Sequence, residues 1–207
     1  MLVKIESNYT LDEIRELYAC LVTSGVLSQR DVDQLADDFS KYEAGYYQLD
    51  FLCINNLLLP FADRFVGYEK QERKLARYDN NTDRFYRNLT LRLLHGSPLR
   101  QHAPTCTINS TTGELTIFAG QHATSFNFSL HPEYLVQVTT HLNRLLQQHG
   151  ADVAYHELAF DEDTIFLLLT AWQFKYLVTN RVLDFCRIDY PEVEAWRKTV
   201  RKEDLPF

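Results

Sequence analysis

The sequence predicts an α+β protein in which a helical N-terminal region is followed by an antiparallel sheet unit of order β-β-β-α-β-β-α with a closing helix. Through the first half of the chain, apolar residues recur at three- and four-residue intervals, the period of an amphipathic helix. Beyond Pro104, apolar and β-branched residues alternate in short segments bounded by turn residues, which is typical of antiparallel strands. We therefore expect a helical region over 1–96 and a sheet region over 105–207, or one composite domain in which the helix over 83–95 joins the sheet.

The N-terminal region opens with signals for two helices that form a hairpin. Thr10 and Glu13 have the spacing of a capping box, which satisfies free backbone N–H groups at a helix start, and Gly25 is placed to end that helix. Ser28 then starts a second helix that Gly45 ends. We expect the polar face of this second helix to be solvated, and its acidic residues are Asp31, Asp33, Asp37 and Asp38.

Three further helices are expected before the strands begin. The run 46–59 is apolar on nearly all sides, which favours a buried helix. A helix over about 61–78 follows Pro60, where proline begins a new helix or bends the previous one. Another helix over 83–95 begins after Thr82 as its N-cap and closes at Gly96.

Five strands are expected in the second half, and we predict that they form an antiparallel sheet with helices on one face. The first three strands form a meander, and the last two form a hairpin around the acidic turn 161–163. The strand ranges are 105–109, 114–118, 124–130, 153–160 and 164–170. Helices are predicted over 131–149, 171–185 and 191–202.

The element order over about residues 83–185, α-β-β-β-α-β-β-α, resembles the topology of class I type III secretion chaperones. Those proteins are small, acidic, dimeric and non-enzymatic, and they hold an extended segment of a partner protein. The resemblance lies in the order of the elements. It implies a partner-binding role for this chain, together with a homodimeric state.

Basic residues are concentrated in one segment of an acidic chain. The formal net charge is −7, yet residues 68–102 carry an excess of cations with aromatic residues among them. Four of these cations fall at helical positions i, i+3, i+4 and i+7 and would form a basic stripe, which two arginines of the next helix could widen. These six candidate partner-binding residues are Lys70, Arg73, Lys74, Arg77, Arg84 and Arg87. They bind an anionic partner, or they face solvent or the acidic N-terminal hairpin, and Asp83 can pair with Arg87 one helical turn away.

The leading functional interpretation is a non-enzymatic protein-interaction module in the cytoplasm, of the chaperone, immunity or adaptor kind. Trp172, Tyr176 and Trp196 could anchor such an interface, because aromatic residues dominate binding hot spots. The first alternative is a nucleic-acid or nucleotide-binding protein that uses the basic residues over 70–92, although an acidic chain disfavours broad phosphate binding. The second alternative is a hydrolase with a site not readable from the sequence, which contains no nucleophile elbow, P-loop or dinucleotide fingerprint.

No cofactor, metal site or membrane span is expected. The seven histidines lack the spacing of metal ligands, and we expect surface or capping roles for them. Cys20, Cys53, Cys106 and Cys186 are isolated in apolar surroundings, which favours buried free thiols in a reducing compartment. The N-terminus lacks the pattern of a secretory signal, and no apolar run is long enough to cross a bilayer.

Overall fold

The computed structural model shows an α+β protein with antiparallel sheets. It describes residues 10–35, 55, 57, 58, 60, 61, 66–68, 82–128, 133–158 and 164–186 of the 207-residue chain. Two compact units are present: the first combines Met1–Phe61 with Trp172–Phe207, and the second is Ala62–Ala171. The predicted helix over 191–202 and the acidic turn 161–163 lie outside the described residues.

The first helix of the first unit begins where the capping box predicted it. Helix α1 spans Leu11–Thr23. The backbone N–H of Thr10 donates to Glu13 Oε2 at 2.7 Å, and the N–H of Glu13 donates back to Thr10 Oγ1 at 3.3 Å. The chain leaves the helix through Gly25, whose φ of 74° lies in the left-handed region that glycine adopts without strain.

The second helix is short within the described residues, and its polar face differs from the prediction. Helix α2 spans Gln29–Asp33, and residues 36–54 of the predicted longer helix and its apolar successor lie outside the described residues. Asp31 is only 7% exposed, because its carboxylate accepts a hydrogen bond from the Ser28 N–H at 2.8 Å. The prediction of a solvated carboxylate is therefore wrong at Asp31, which acts as the partner of a capping box.

A buried asparagine joins the two sequence segments of the first unit. Asn55 is fully buried, and its side-chain amide donates to the Asp184 carbonyl at 2.8 Å while its oxygen accepts from the Asp184 N–H at 2.9 Å. A second link runs from Gln173 Nε2 to the Ser24 carbonyl at 2.8 Å. The two hydrogen bonds with Asp184 satisfy the Asn55 amide, which burial would otherwise leave unpaired.

The last described helix ends earlier than the apolar pattern predicts. It spans Ala171–Thr179 and is the fifth α-helix of the described chain, α5. The chain turns at Arg181, whose φ is 52°, and the Val182 N–H bonds to the Leu177 carbonyl at 2.9 Å. The predicted continuation to residue 185 is thus wrong, because the buried side chains of Val182 and Phe185 follow a turn rather than a helix.

The second unit contains two three-stranded antiparallel sheets, where the sequence predicts five strands in one. Strands β1 (Val66–Tyr68), β6 (Thr164–Leu169) and β5 (Ala154–Leu158) form one sheet in the order β1-β6-β5. Strands β2 (Thr105–Asn109), β3 (Glu114–Ala119) and β4 (His122–Asn127) form the other in sequence order.

Strand β1 corrects the helix predicted over 61–78. Val66 pairs with Phe166 and Tyr68 pairs with Thr164 in an antiparallel register. Gly67 disfavours a helix, and its neighbours are of the β-branched and aromatic types that strands favour. A helix that carries the basic stripe cannot therefore run continuously from residue 61 through residue 78.

Two longer helices supply most of the core of the second unit. Helix α3 spans Thr82–His95 and helix α4 spans Tyr134–Gln148, with a short 3₁₀ helix, Pro98–His102, after α3. Their apolar faces pack with the inner face of the β2-β3-β4 sheet in one buried cluster. The helical members of that cluster include Phe85, Tyr86, Leu89, Leu93, Leu94, Leu135, Val138, Leu142, Leu145 and Leu146.

A hydroxyl network joins α3 to α4 inside this core. Tyr134 Oη lies 2.6 Å from Thr90 Oγ1 and 3.2 Å from the Tyr86 carbonyl, to which Thr90 Oγ1 also donates at 3.0 Å. Burial raises the pKa of Tyr134 well above its ordinary value, so its hydroxyl stays protonated and available as a donor.

Asn143 of α4 ties that helix to the edge of the first sheet. Its amide donates to the Tyr155 carbonyl at 3.0 Å, and its oxygen accepts from the Tyr155 N–H at 2.7 Å. Strand β5 is at one end of the β1-β6-β5 order, so Asn143 occupies hydrogen-bonding groups that a neighbouring strand would otherwise use.

Among the helices that the structure describes, none combines the length and apolar character needed to cross a bilayer.

Replacing Asn143 by alanine should destabilise the fold. The variant loses both hydrogen bonds to Tyr155, and the partly buried N–H and carbonyl of Tyr155 are left unpaired. We therefore expect the free energy of unfolding to fall by about 2 kcal/mol. Urea unfolding followed by circular dichroism measures this change. Asn127→Ala, at an exposed position of β4, is the matched control. Equal stability of the two variants would contradict the role given to Asn143.

His156 of β5 should make the fold sensitive to mild acid. Burial lowers the pKa of His156 to about 4, from an ordinary value of 6.5. Because the unfolded chain binds this proton more readily, the stability is complete above pH 6.5 and declines as the pH falls from 6.5 towards 4. The loss should reach up to ~3 kcal/mol at the lower end of that range.

The variant His156→Gln should unfold with a weaker pH dependence between pH 7.5 and pH 4.5 than the parent protein. Urea titrations at several pH values measure the slope of the free energy of unfolding against pH. This slope does not depend on any overall loss of stability in the variant. His95→Gln, at an exposed position of α3, serves as the control. A slope that is the same in all three proteins would exclude His156 as the source.

Candidate functional site

An open groove of about 600 Å³ lies between the first half of α3 and strand β2. The wall on the helix side is polar and charged, whereas the strand contributes small and apolar side chains. Its lining residues are Asp83, Arg84, Arg87, Asn88, Cys106, Thr107 and Ile108. This combination of two guanidinium groups with a concave surface makes the groove the strongest candidate site in the described chain.

The helical repeat places the charged residues of α3 on the side opposite its buried residues. Arg84, Arg87 and Asn88 follow at i, i+3 and i+4 and so share one face, on which both arginines are exposed. Phe85 and Tyr86 point into the core instead, where their rings meet edge to face with centroids 5.2 Å apart. Phe85 and Tyr86, the aromatic residues of α3, are therefore core residues and do not line the groove.

Asp83 holds one end of the groove together. Its Oδ1 accepts a hydrogen bond from the Ser110 backbone N–H at 2.7 Å, just beyond the end of β2. The sequence suggested an ion pair between Asp83 and Arg87, but the carboxylate fastens α3 to the β2–β3 turn instead. The described lining therefore includes two arginine cations and the Asp83 carboxylate.

Cys106 lies at the inner side of the groove and is a poor nucleophile. Its side chain is 2% exposed, and Sγ lies 3.9 Å from the Arg87 carbonyl. Burial raises the pKa of the Cys106 thiol, and the nearby Arg87 guanidinium opposes this only in part. The thiolate is the reactive form, so this cysteine reacts slowly at neutral pH. The lining residues include no histidine that could act as a base towards it.

Only part of the predicted basic stripe can be placed. Arg84 and Arg87 lie together on the groove wall, as neighbours on one helix face. Lys70, Arg73, Lys74 and Arg77 lie outside the described residues, as do Asp37 and Asp38 of the acidic hairpin. Whether the four upstream cations face those carboxylates stays a prediction.

The predicted aromatic anchors have separate positions. Trp172 is 58% exposed and stacks on Tyr176 with ring centroids 5.4 Å apart. Tyr176 is buried, and burial raises its pKa to about 12. Trp196 lies outside the described residues. Trp172 is therefore the one exposed anchor among those that the structure describes.

Sequence reasoning did not identify the strand side of the groove. Cys106, Thr107 and Ile108 belong to β2, and only the packing of β2 against α3 brings them to the arginines. The sequence predicted a strand over 105–109, but a strand pattern carries no signal for which helix lies beside the strand. Within the described chain, no three His, Cys, Asp or Glu side chains stand in position to hold a metal ion.

Comparisons of this chain with protein-family models, with curated proteins and with solved structures find no match. The element order observed over α3, β2–β4, α4, β5, β6 and α5 is the one that the sequence predicted.

Proposed function

We propose that this chain is a non-enzymatic protein-interaction module of the cytoplasm, and that the groove between α3 and β2 receives an acidic segment of its partner. The observation that carries the proposal is the pair Arg84 and Arg87 on the wall of an open groove of about 600 Å³. A guanidinium group can bind a carboxylate through two parallel hydrogen bonds, which favours acidic side chains as ligands.

The local charge of the groove supports an acidic ligand. Among the described residues, its lining combines two arginines with the carboxylate of Asp83, which accepts a hydrogen bond from the Ser110 N–H. The chain as a whole carries −7, so a positive groove would attract a ligand of opposite charge against an otherwise repulsive background. Charge of this kind contributes specificity and association rate more than affinity.

The composition of the lining favours a protein partner over a nucleic acid. Sites for single-stranded nucleic acid combine cations with aromatic rings on which bases stack. Among the residues that the structure describes, the groove lining contains no aromatic side chain, because Phe85 and Tyr86 are turned into the core. A protein segment requires no such stacking platform.

Two further observations bear on the class of protein and its compartment. The buried thiol of Cys106, with its raised pKa, offers no activated nucleophile in the groove, which supports a binding role. Cys20 and Cys106 are free thiols, which is typical of proteins in a reducing compartment such as the cytoplasm.

A binding experiment with peptides of defined charge tests this proposal. A fluorescein-labelled glutamate-rich peptide should bind at least tenfold more tightly than a glutamine-rich peptide of the same length, as measured by fluorescence anisotropy at 50 mM salt. The double variant Arg84→Glu/Arg87→Glu should weaken that binding by about tenfold or more, since exposed ion pairs contribute up to ~1 kcal/mol each.

The control variant is Arg92→Glu/Arg100→Glu, which changes the net charge equally at two exposed arginines outside the groove lining. Its loss of affinity for the peptide should agree within about twofold with the loss expected from long-range charge alone. Equal losses in the two double variants would refute a role for the groove. Tighter binding of single-stranded DNA than of the acidic peptide, lost in Arg84→Glu/Arg87→Glu, would establish the nucleic-acid alternative instead.

A further inference from the structure

Strand β2 forms one edge of its sheet, and the groove lies at that edge. Among the described strands, β2 pairs with β3 alone, in an unbroken antiparallel register from Thr105 opposite Phe118 to Asn109 opposite Glu114. Of the strands in this sheet, β2 is the one against which α3 packs most closely. Backbone groups of alternate residues in an antiparallel strand point to opposite sides, so one alternate set in β2 points away from β3.

The residues of β2 lack the features by which proteins usually guard a sheet edge. Charged side chains, proline and bulges are common devices that keep an edge strand from pairing with another chain. The segment Thr105–Asn109 contains no charged residue and no proline, and its register with β3 has no bulge. Strand β5 differs, because Asn143 occupies the backbone groups of Tyr155. The edge of β2 is therefore competent to pair with a further strand.

The burial pattern of β2 shows which way an added strand would direct its side chains. Cys106 is buried and Ile108 is partly buried, whereas Thr105, Thr107 and Asn109 are exposed. Residues directly opposite one another on neighbouring strands point to the same face of a sheet. Every second residue of an added strand would therefore lie on the face of Cys106 and Ile108, which is the face that packs with α3.

The two arginines of the groove match this alternation. Arg84 and Arg87 are one helical turn apart, which separates their Cβ atoms by about 5–6 Å. Alternate side chains of a strand are roughly 6.6 Å apart, from two rises of about 3.3 Å each, and the flexible arginine side chains can cover the small difference. The Arg87 guanidinium also partly opposes the raised pKa of the Cys106 thiol, so its charge lies near the middle of β2.

We propose that the acidic partner segment binds in an extended conformation and adds to the edge of β2 as a fourth strand, with carboxylates at every second position directed to Arg84 and Arg87. This inference rests on the function proposed above and specifies how the same groove recognises its partner. Main-chain hydrogen bonds to β2 supply affinity that is independent of side chains, and the alternating carboxylates supply specificity.

Two fluorescein-labelled peptides of identical composition test the alternation. One alternates four threonines with three glutamates, and the other has the three glutamates in one central block. Fluorescence anisotropy at 50 mM salt should show at least fivefold tighter binding of the alternating peptide. The variant Arg84→Glu/Arg87→Glu should abolish this preference, and the control Arg92→Glu/Arg100→Glu should keep it. Equal affinities of the parent protein for the two peptides would overturn the proposed alternation.

Methylation of the peptide backbone tests the main-chain hydrogen bonds. Alternate N–H groups of a strand point to the same side, so the alternating peptide is methylated on the nitrogens of its three glutamates or on those of three threonines. One isomer loses its hydrogen bonds to β2 and should bind at least tenfold more weakly. The other isomer keeps them and should bind within about threefold of the unmethylated peptide. Equal affinities of the two isomers would overturn strand addition.

Hydrogen exchange measured by NMR gives a second view of the same contact. The alternating peptide should slow exchange at alternate amides of β2, and the amides of β4, at the other end of the sheet, are the internal control. Binding that falls in Arg84→Glu/Arg87→Glu but shows no difference between the methylated isomers would overturn strand addition and leave the proposed function intact. The absence of binding by both peptide orders would overturn the two proposals together.

Discussion

Tyr155 connects three elements of the second unit, and the arrangement of that unit depends on it. Its backbone N–H and carbonyl are both bonded to Asn143 of α4, its hydroxyl donates to the Leu93 carbonyl of α3, and its strand pairs with β6. Burial raises the pKa of Tyr155 above its ordinary value, so the hydroxyl stays a donor. Since α3 also carries Arg84 and Arg87, this attachment helps to set the position of the groove wall.

Elements with strong local signals were predictable from the sequence. Helix α1 has a capping box, α3 and α4 have apolar stripes at helical spacing, and the β2–β3 hairpin has a turn that ends in Gly113, whose φ is 68°. Strand β1 has no such signal, because three residues are too few to establish a period. It forms through pairing with β6, which lies nearly one hundred residues later in the chain, so tertiary contacts override the local preference.

The candidate sites divide in the same way. The charge pattern identified Arg84 and Arg87, whose spacing on a helix is a local property. The charge pattern could not show that Phe85 and Tyr86 lie in the core and not in the groove, since that depends on which face of α3 packs against the sheet. Cys106, Thr107 and Ile108 were not predictable as groove residues, because they lie on β2 and only tertiary packing brings them beside α3. Spacing rules find site residues that share an element, and they miss those that tertiary packing brings together.

The division of the chain into units also constrains the order of folding during synthesis. The second unit is continuous in sequence, whereas the first needs residues from both sides of it. The hydrogen bonds of Asn55 cannot form until Asp184, its partner 129 residues later, has been synthesised and has left the ribosome. The second unit can fold during that interval, and a compact insert in place of a flexible loop lowers the entropic cost of closing the first unit. The unit that contains α1 is therefore the last to be completed.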